Sequence, residues 1–172
     1  MYLFPQKRNL YKEFIETAIL AAFIFLCLHL SIQNYQVEGS SMDPTLSEGE
    51  CVLSNKFIYT RFDTTGLTKY VTSLDKHQGN MLFLFHPPKR GEIVVFRYPK
   101  DPNRHFVKRI IGIPGDQVEI KKGVVLVNGY GIEEPYLTPL PSTSNWGPSI
   151  IQAENYFVLG DNRAASNDSR SW

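Results

Sequence analysis

The sequence predicts a mainly β protein with one apolar helix near its N-terminus. Its 172 residues are the length of a single domain with a small appendage. Positions 17 through 37 hold no residue with a formal charge, which favours a membrane-spanning helix there. After position 37, short β-branched runs alternate with turn residues, which include most of the 11 prolines and 12 glycines. Because no long amphipathic pattern occurs in this part, we expect it to consist mainly of strands.

The apolar segment is predicted to be an uncleaved membrane anchor over residues 14–36. Its most apolar part, Ala18 to Ile32, is shorter than the roughly 20 residues that cross a bilayer, and the flanking apolar and aromatic residues complete the span. Lys7, Arg8 and Lys12 precede it, whereas acidic residues follow it at positions 38, 43, 48 and 50. The positive-inside rule then predicts that residues 1–13 are cytoplasmic and that residues 37–172 are extracytoplasmic.

Two other interpretations of this segment compete with the anchor. A cleaved secretory signal needs a small-x-small site, and the residues after Ile32, QNYQVEG, contain none. A buried helix of a soluble core stays open, because the most apolar part is only marginally long for a membrane span.

Four strand regions follow from local patterns. Ile93 to Tyr98 (IVVFRY) and His105 to Ile111 (HFVKRII) are β-branched runs of strand length. A hairpin is predicted from residues 118–120 and 124–127 around the turn at 121–123, followed by a primed turn at Asn128-Gly129. A short strand is predicted over residues 156–159, directly before Gly160.

The segment between residues 57 and 90 is less regular and has no assigned role. Its apolar run MLFLFHPP, Met81 to Pro88, is interpreted as a buried strand, because such runs are usually buried. The alternative is an exposed surface that rests on lipid beside the anchor. Leu137 to Pro148 is polar and rich in proline, which predicts a loop.

Composition excludes several classes of protein. The 18 basic and 17 acidic residues give a net charge of +1, which argues against a nucleic-acid-binding protein. The two cysteines, Cys27 and Cys51, cannot build a disulfide framework. The cysteines and the 4 histidines show no metal-ligand spacing, so no metal or organic cofactor is predicted.

Three segments carry residues that can do chemistry, and each has an ordinary structural explanation. Ser41 lies in the turn-forming sequence GSSMDPTL and could be a nucleophile if a base activates it. Lys108 alternates with Phe106 and Ile110, so it shares an apolar strand face, where burial would lower the pKa of its amine well below about 10.4. The more common arrangement for one such lysine is a packed stem with its ammonium in water. Residues 160–170 hold two Asp, two Arg and two Ser, which suits either a hydrogen-bonded network or a surface turn.

Together these segments resemble one family, the type I signal peptidases, which are membrane-anchored serine proteases with a Ser-Lys dyad. The resemblance covers most of the chain, in the family's order. After the anchor come SMDPTL (41–46), GEIVVF (91–96), VKRIIGIPGD (107–116) and GDNRAASNDSR (160–170), with Glu92 as a departure where the family has Asp. Each motif alone is weak, but four in order behind an anchor are specific.

The resemblance implies a role for each matching position. Ser41 matches the nucleophile, Lys108 the general base, and Ser166 the serine that orients this lysine by a hydrogen bond. The oxyanion hole would use the backbone N–H of Ser41 and a donor at Gly39, which has no hydroxyl, so its own N–H is the expected second donor. Structural support is implied for four further residues, namely Asp161, Arg163, Asp168 and Arg170.

The same resemblance implies a fold of coiled antiparallel β-sheets. It also implies removal of N-terminal signal peptides from preproteins with small-x-small cleavage sites, at the plasma membrane and through an acyl-enzyme. Because family members continue past the position of Arg170 with a further segment, truncation of the chain at its C-terminus is also expected. One alternative function is an anchored β domain that binds partners without catalysis. Another is a repressor-type Ser-Lys autoprotease, although this chain has an apolar anchor where such proteins carry a DNA-binding domain.

Overall fold

A computed structural model describes residues 10–63, 81–137 and 143–172. One α-helix and eleven β-strands occur in these ranges. Their bounds are α1 Leu10–Ser31, β1 Ile32–Gln36, β2 Cys51–Asn55, β3 Arg61–Asp63, β4 Met81–Phe83, β5 Ile93–Tyr98, β6 Asp101–Gly112, β7 Gln117–Lys121, β8 Val124–Val127, β9 Tyr130–Gly131, β10 Trp146–Ile150 and β11 Phe157–Leu159. The predicted class, mainly β with an N-terminal apolar helix, is confirmed.

Helix α1 is long and apolar enough to span a membrane, and none of its residues is buried against the rest of the protein. The buried-core interpretation of this segment is therefore wrong. The helix covers Leu10–Ser31, whereas the predicted segment was 14–36. The helix ends at Ser31 because residues 32–36 form strand β1. Gln33 and Asn34 interrupt the apolar run, and their backbones pair with Ser54 and Leu53 of β2. The membrane-helix pattern therefore stops where the polar side chains begin.

The strands form antiparallel sheets in the orders β1-β2, β3-β4, β11-β6-β5 and β10-β7-β8-β9. Strand β6 lies between β5 and β11 and carries the predicted base. The core lies between the β6 and β7 sheets and is built from eight buried side chains, namely Ile111, Val118, Ile120, Val125, Val127, Ile151, Phe157 and Leu159. Their alternation with exposed or half-buried residues along β7 and β8 follows from the period of two in a strand.

The predicted hairpin and primed turn are confirmed. Strands β7 and β8 pair from Val118 with Val127 to Lys121 with Val124. Asn128 and Gly129 have φ values of 54° and 84°, the left-handed conformations that a type I′ turn requires at both central positions. The predicted strands at 93–98, 105–111 and 156–159 correspond to β5, β6 and β11.

Two local predictions were wrong. Residues 146–148, at the end of the predicted loop 137–148, belong to strand β10, because Trp146 packs on the core and its ring centroid lies 4.4 Å from that of Phe157. The run from Met81 is not a continuous buried strand. Strand β4 ends at Phe83, and the next two side chains, Leu84 and Phe85, are 53% and 65% exposed. Residues 64–80 and 138–142 of these two segments lie outside the described residues.

Candidate active site

Ser41 lies in the loop between β1 and β2, and backbone hydrogen bonds close this loop at its base. The N–H of Val37 donates to the carbonyl of Glu50 at 2.8 Å, and the N–H of Gly49 donates to the carbonyl of Val37 at 2.9 Å. Met42, the next residue after Ser41, is fully buried. A closed loop with a buried neighbour holds the half-buried Ser41 in one position.

Lys108 lies in the middle of β6, where it pairs with Val94 of β5. Its Nζ is 2.7 Å from the Oγ of Ser41, although 67 positions separate the two residues in sequence. The same nitrogen donates to the carbonyl of Val107 at 2.8 Å and lies 5.3 Å from the ring centroid of Phe106. The structure therefore brings the predicted nucleophile and the predicted base into hydrogen-bond contact.

Burial controls the electrostatics of Lys108, which is only 4% exposed. Loss of water around the amine disfavours its charged form and lowers the pKa of Lys108 below 10.5. The negative charges of Asp168 and Asp161 oppose this effect and raise the pKa of the amine. The net direction is down, so the neutral amine is more abundant at a given pH than in a solvated lysine.

Asp161 is held by an arginine that comes directly after the base. Arg109 donates to both carboxylate oxygens of Asp161, with Nε at 2.9 Å and Nη2 at 2.6 Å. The hydroxyl of Thr45 donates to Asp161 at 2.6 Å, and Arg109 also donates to the carbonyl of Gly91 at 2.9 Å. This two-bond pair joins β6 to the segment after β11 and to the loop that carries Ser41.

Asp168 is fully buried and is paired in the same way. Arg170 donates to its two carboxylate oxygens at 2.7 and 2.9 Å, and the N–H of Gly160 donates to it at 3.1 Å. Arg170 also donates to the carbonyl of Arg163 at 2.9 Å. All four predicted support residues thus take part in the hydrogen-bond network behind the site, and this network compensates the charges that folding removes from water.

Ser166 lies at the site without the hydrogen bond predicted for it. Its Oγ is buried, yet it forms no hydrogen bond with any residue that the structure describes. The Nζ of Lys108 is instead within hydrogen-bond distance of Ser41 and Val107. The orienting role of Ser166 therefore stays a prediction.

Gly160 holds Ser166 and the nucleophile loop close together. A Cβ atom built on Gly160 would collide with the side chain of Ser166 and with the carbonyl oxygen of Ser41. The same carbonyl accepts a hydrogen bond from the N–H of Asn162 at 3.1 Å. The absence of a side chain at Gly160 lets the segment after β11 approach the backbone of Ser41 directly.

A cleft of about 510 Å³ opens beside the two central residues. It is lined by Ser41, Lys108 and Gly39, with further residues from β1 and β6 on its walls. Within the described ranges, no hydrogen bond is formed by the backbone N–H of Gly39 or of Ser41. Their role as oxyanion donors stays a prediction.

Four residues of the site were not predicted from the sequence, namely Thr45, Gly160, Glu134 and Tyr136. Thr45 and Gly160 lie inside the motifs at 41–46 and 160–170, so their positions do carry a sequence signal. Glu134 and Tyr136 lie in the segment after β9, where no pattern distinguishes them from ordinary surface residues.

An N-terminal apolar helix, a mainly antiparallel β domain and a serine hydroxyl against a buried amine are typical of membrane-bound serine endopeptidases. The family described as signal peptidase, peptidase S26, matches residues 10–172. Signal peptidase I P from Bacillus subtilis subsp. natto is 32% identical over 176 residues, covering 96% of this chain and 81% of the relative. Signal peptidase I from Bacillus licheniformis is 34% identical over 175 residues, with the same two coverages.

The chain belongs to the signal peptidase family, peptidase S26. It is a serine endopeptidase with type I signal peptidase function, and it is associated with the membrane. The solved structure of a signal peptidase I from Enterococcus faecalis V583 is 30% identical, with a TM-score of 0.44 over 49% of this chain and 86% of that chain.

Proposed function

We propose that Ser41 and Lys108 form a catalytic dyad that hydrolyses the peptide bond after the signal peptide of a preprotein. The observation that carries this proposal is the 2.7 Å distance between Nζ of Lys108 and Oγ of Ser41, together with the burial of that amine. A general base must be within about 2.6–3.2 Å of the atom it deprotonates and must be uncharged when it acts. Burial of the amine favours the uncharged form.

The reaction runs in two halves. Neutral Lys108 takes the proton from Oγ of Ser41 as this oxygen attacks the scissile carbonyl, and the N–H groups of Ser41 and Gly39 stabilise the developing oxyanion. The ammonium of Lys108 then protonates the leaving amine, which leaves an acyl-enzyme on Ser41. In the second half Lys108 takes a proton from water, the hydroxide attacks the ester carbonyl, and the Oγ of Ser41 recovers its proton.

The substrates in this proposal are preproteins with small-x-small cleavage sites. Two observations support a peptide substrate. The relatives that match most of the chain are signal peptidases by name, and the cleft of about 510 Å³ beside Ser41 has room for a short peptide segment.

Cleavage should therefore depend on pH through the amine of Lys108. Because burial lowers the pKa of this group, kcat/KM should rise with pH to a plateau. The midpoint of this rise, which reports the pKa of Lys108 in the free enzyme, should lie below 10.5. The measurement is cleavage of a preprotein by the detergent-solubilised full chain across the pH range, beside the Lys108→Met variant. A profile without an acid limb, or with its midpoint at or above 10.5, would contradict the proposed base.

The proposed orientation puts the N-terminus in the cytoplasm, α1 across the plasma membrane once, and residues 37–172 on the other side. The basic residues before α1 and the acidic residues after it support this orientation. Ser41 comes only ten positions after the end of α1, which keeps it near the membrane surface, where a translocated preprotein presents its cleavage site. Tethering enzyme and substrate to one bilayer raises their effective concentration.

Lipid is the second proposed partner. We define the apolar patch as five exposed side chains, namely Leu53, Phe57, Phe62, Leu84 and Phe85. Two backbone hydrogen bonds connect the segments that carry these side chains to one another and to the end of α1. The N–H of Lys56 donates to the carbonyl of Ser31 at 2.9 Å, and the N–H of Leu84 donates to the carbonyl of Thr60 at 2.8 Å. An apolar surface beside a membrane anchor suits contact with acyl chains.

The double variant Leu84→Ser/Phe85→Ser should cleave a bilayer-embedded preprotein severalfold more slowly, because the patch no longer seats the domain on lipid. Cleavage of a short soluble peptide in detergent should be unchanged. Val124→Ser, which alters an exposed valine on β8, is the matched control. Equal losses with both substrates would contradict the lipid contact. Protease added outside intact spheroplasts that carry the full chain tests the orientation, since it should digest residues 37–172 and spare the N-terminus.

A further inference from the structure

Glu134 and Tyr136 lie in the segment after β9 that leads away from the core. The start of this segment is fixed, because Ile132 packs against the core and its N–H donates to the carbonyl of Val125 at 3.1 Å. A turn follows, in which the N–H of Leu137 donates to the carbonyl of Glu134 at 3.1 Å. The two side chains are therefore carried by a fixed stretch of backbone.

The carboxylate of Glu134 is buried with a side-chain exposure of 8%, and it pairs with Arg163, whose side chain is 10% exposed. Nη1 of Arg163 donates to Oε2 of Glu134 at 3.1 Å, and Nη2 donates to Oε1. Nε of Arg163 donates to the carbonyl of Gly160 at 3.1 Å. Because Gly160 lies directly against the backbone of Ser41 and the side chain of Ser166, Glu134 is connected to the nucleophile side of the site through one arginine.

A second connection leads to the base. The hydroxyl of Tyr136 donates to Oε1 of Glu134 at 2.7 Å. The guanidinium carbon of Arg109 lies 3.8 Å from the ring centroid of Tyr136, which is a close cation–π contact. Arg109 comes directly after Lys108 and binds Asp161 through two hydrogen bonds. The carboxylate of Glu134 is thus linked through Arg163 to Gly160, which lies against the nucleophile loop, and through Tyr136 to Arg109, which comes directly after the base.

We propose that Glu134, with Tyr136, is a positioning residue for the Ser41–Lys108 pair: it clamps Arg163 and Arg109 and so holds the segment after β11 against the nucleophile loop and β6. The inference rests on the proposed function of Ser41 and Lys108. Glu134 does not touch the reacting atoms, and its effect passes through the two arginines. Without Glu134, the buried charge of Arg163 would be unpaired, and this side chain would move to reach water or another carboxylate. Such a movement would loosen the packing of the segment after β11 near Lys108.

Glu134→Gln tests the clamp, because it removes the charge and keeps the shape of the side chain. We expect kcat to fall by about 10- to 100-fold with KM nearly unchanged, as for a small misplacement of reacting groups. If the segment after β11 packs less tightly, water reaches Lys108 and raises the pKa of its amine, so the acid limb of kcat/KM should move to higher pH. The difference in kcat/KM between the variant and the unaltered chain should therefore become smaller as pH rises. Glu133→Gln, at the exposed neighbouring position, should behave as the unaltered chain.

Tyr136→Phe gives a second, milder test that keeps the ring beneath Arg109 and removes only the hydroxyl bond to Glu134. This variant should lower kcat severalfold with the same shift of the acid limb. If Glu134→Gln does not fold, Tyr136→Phe alone tests the proposed positioning role. The measurements use the full chain in detergent with a preprotein substrate and with thermal unfolding in parallel. A Glu134→Gln loss equal at every pH, or a profile matching that of Glu133→Gln, overturns the clamp. Cleavage by the Ser41→Ala variant would instead overturn the dyad.

Discussion

Ser41→Ala should abolish preprotein cleavage, with kcat reduced by at least about 10⁴-fold, since loss of a nucleophile removes the covalent route entirely. Alanine has no atom that can form the acyl-enzyme. The Nζ of Lys108 keeps its hydrogen bond to the carbonyl of Val107, and the neighbouring Met42 stays buried. Thermal unfolding should therefore change little. The measurement is single-turnover cleavage of a preprotein by the full chain in detergent.

Ser47→Ala is the matched control, because Ser47 lies exposed in the same loop and, among residues 10–63, 81–137 and 143–172, its one hydrogen bond is accepted by its carbonyl from the N–H of Glu50. It should cleave at the rate of the unaltered chain. Retention of activity in Ser41→Ala would show that Ser41 is not the nucleophile. An inactive intact chain that still bound several preproteins would support the alternative of a binding domain without catalysis.

Lys108→Met should have an effect of similar size on activity without any loss of stability. Methionine is about as long as lysine and has no basic group, so Ser41 loses its base and cleavage should fall by at least about 10³- to 10⁴-fold. Folding of the unaltered chain buries an amine at 4% exposure, at a cost in desolvation. An apolar side chain removes that cost, so the melting temperature should be equal or higher. An inactive variant that is at least as stable as the unaltered chain separates a catalytic role from a structural one.

Lys121→Met is the control for this change. The side chain of Lys121 is 63% exposed and pairs with Glu119 at the surface, so its loss should leave activity intact. Full activity of Lys108→Met would defeat the dyad. If His105→Ala lost activity instead, a histidine would be the base, and His105 does line the cleft, with its ring centroid 5.2 Å from that of Tyr35.

The hairpin at residues 117–127 and the turn at Asn128-Gly129 could be predicted because their signals are local. Alternating apolar residues and a turn dipeptide specify neighbouring backbone conformations without help from distant parts of the chain. Trp146–Ile150 could not be predicted in this way. Its proline and glycine are typical of a loop, and its pairing with β7 and the packing of Trp146 on Phe157 make it a strand. The predicted burial of Leu84 and Phe85 was wrong for the converse reason, since an apolar run does not reveal whether another element covers it.

The sequence by itself predicted the apolar helix and the main strands, and its motifs, through their resemblance to a known family, singled out Ser41, Lys108, Ser166, Asp161 and Asp168 as candidate site residues. It did so because periodicity, charge and motif spacing are properties of consecutive residues. Only the tertiary structure decided that Lys108 meets Ser41 across 67 positions and is shielded from water, and that Glu134 closes on Arg163. Proximity and burial depend on contacts between distant segments, and no local pattern of residue types encodes such contacts.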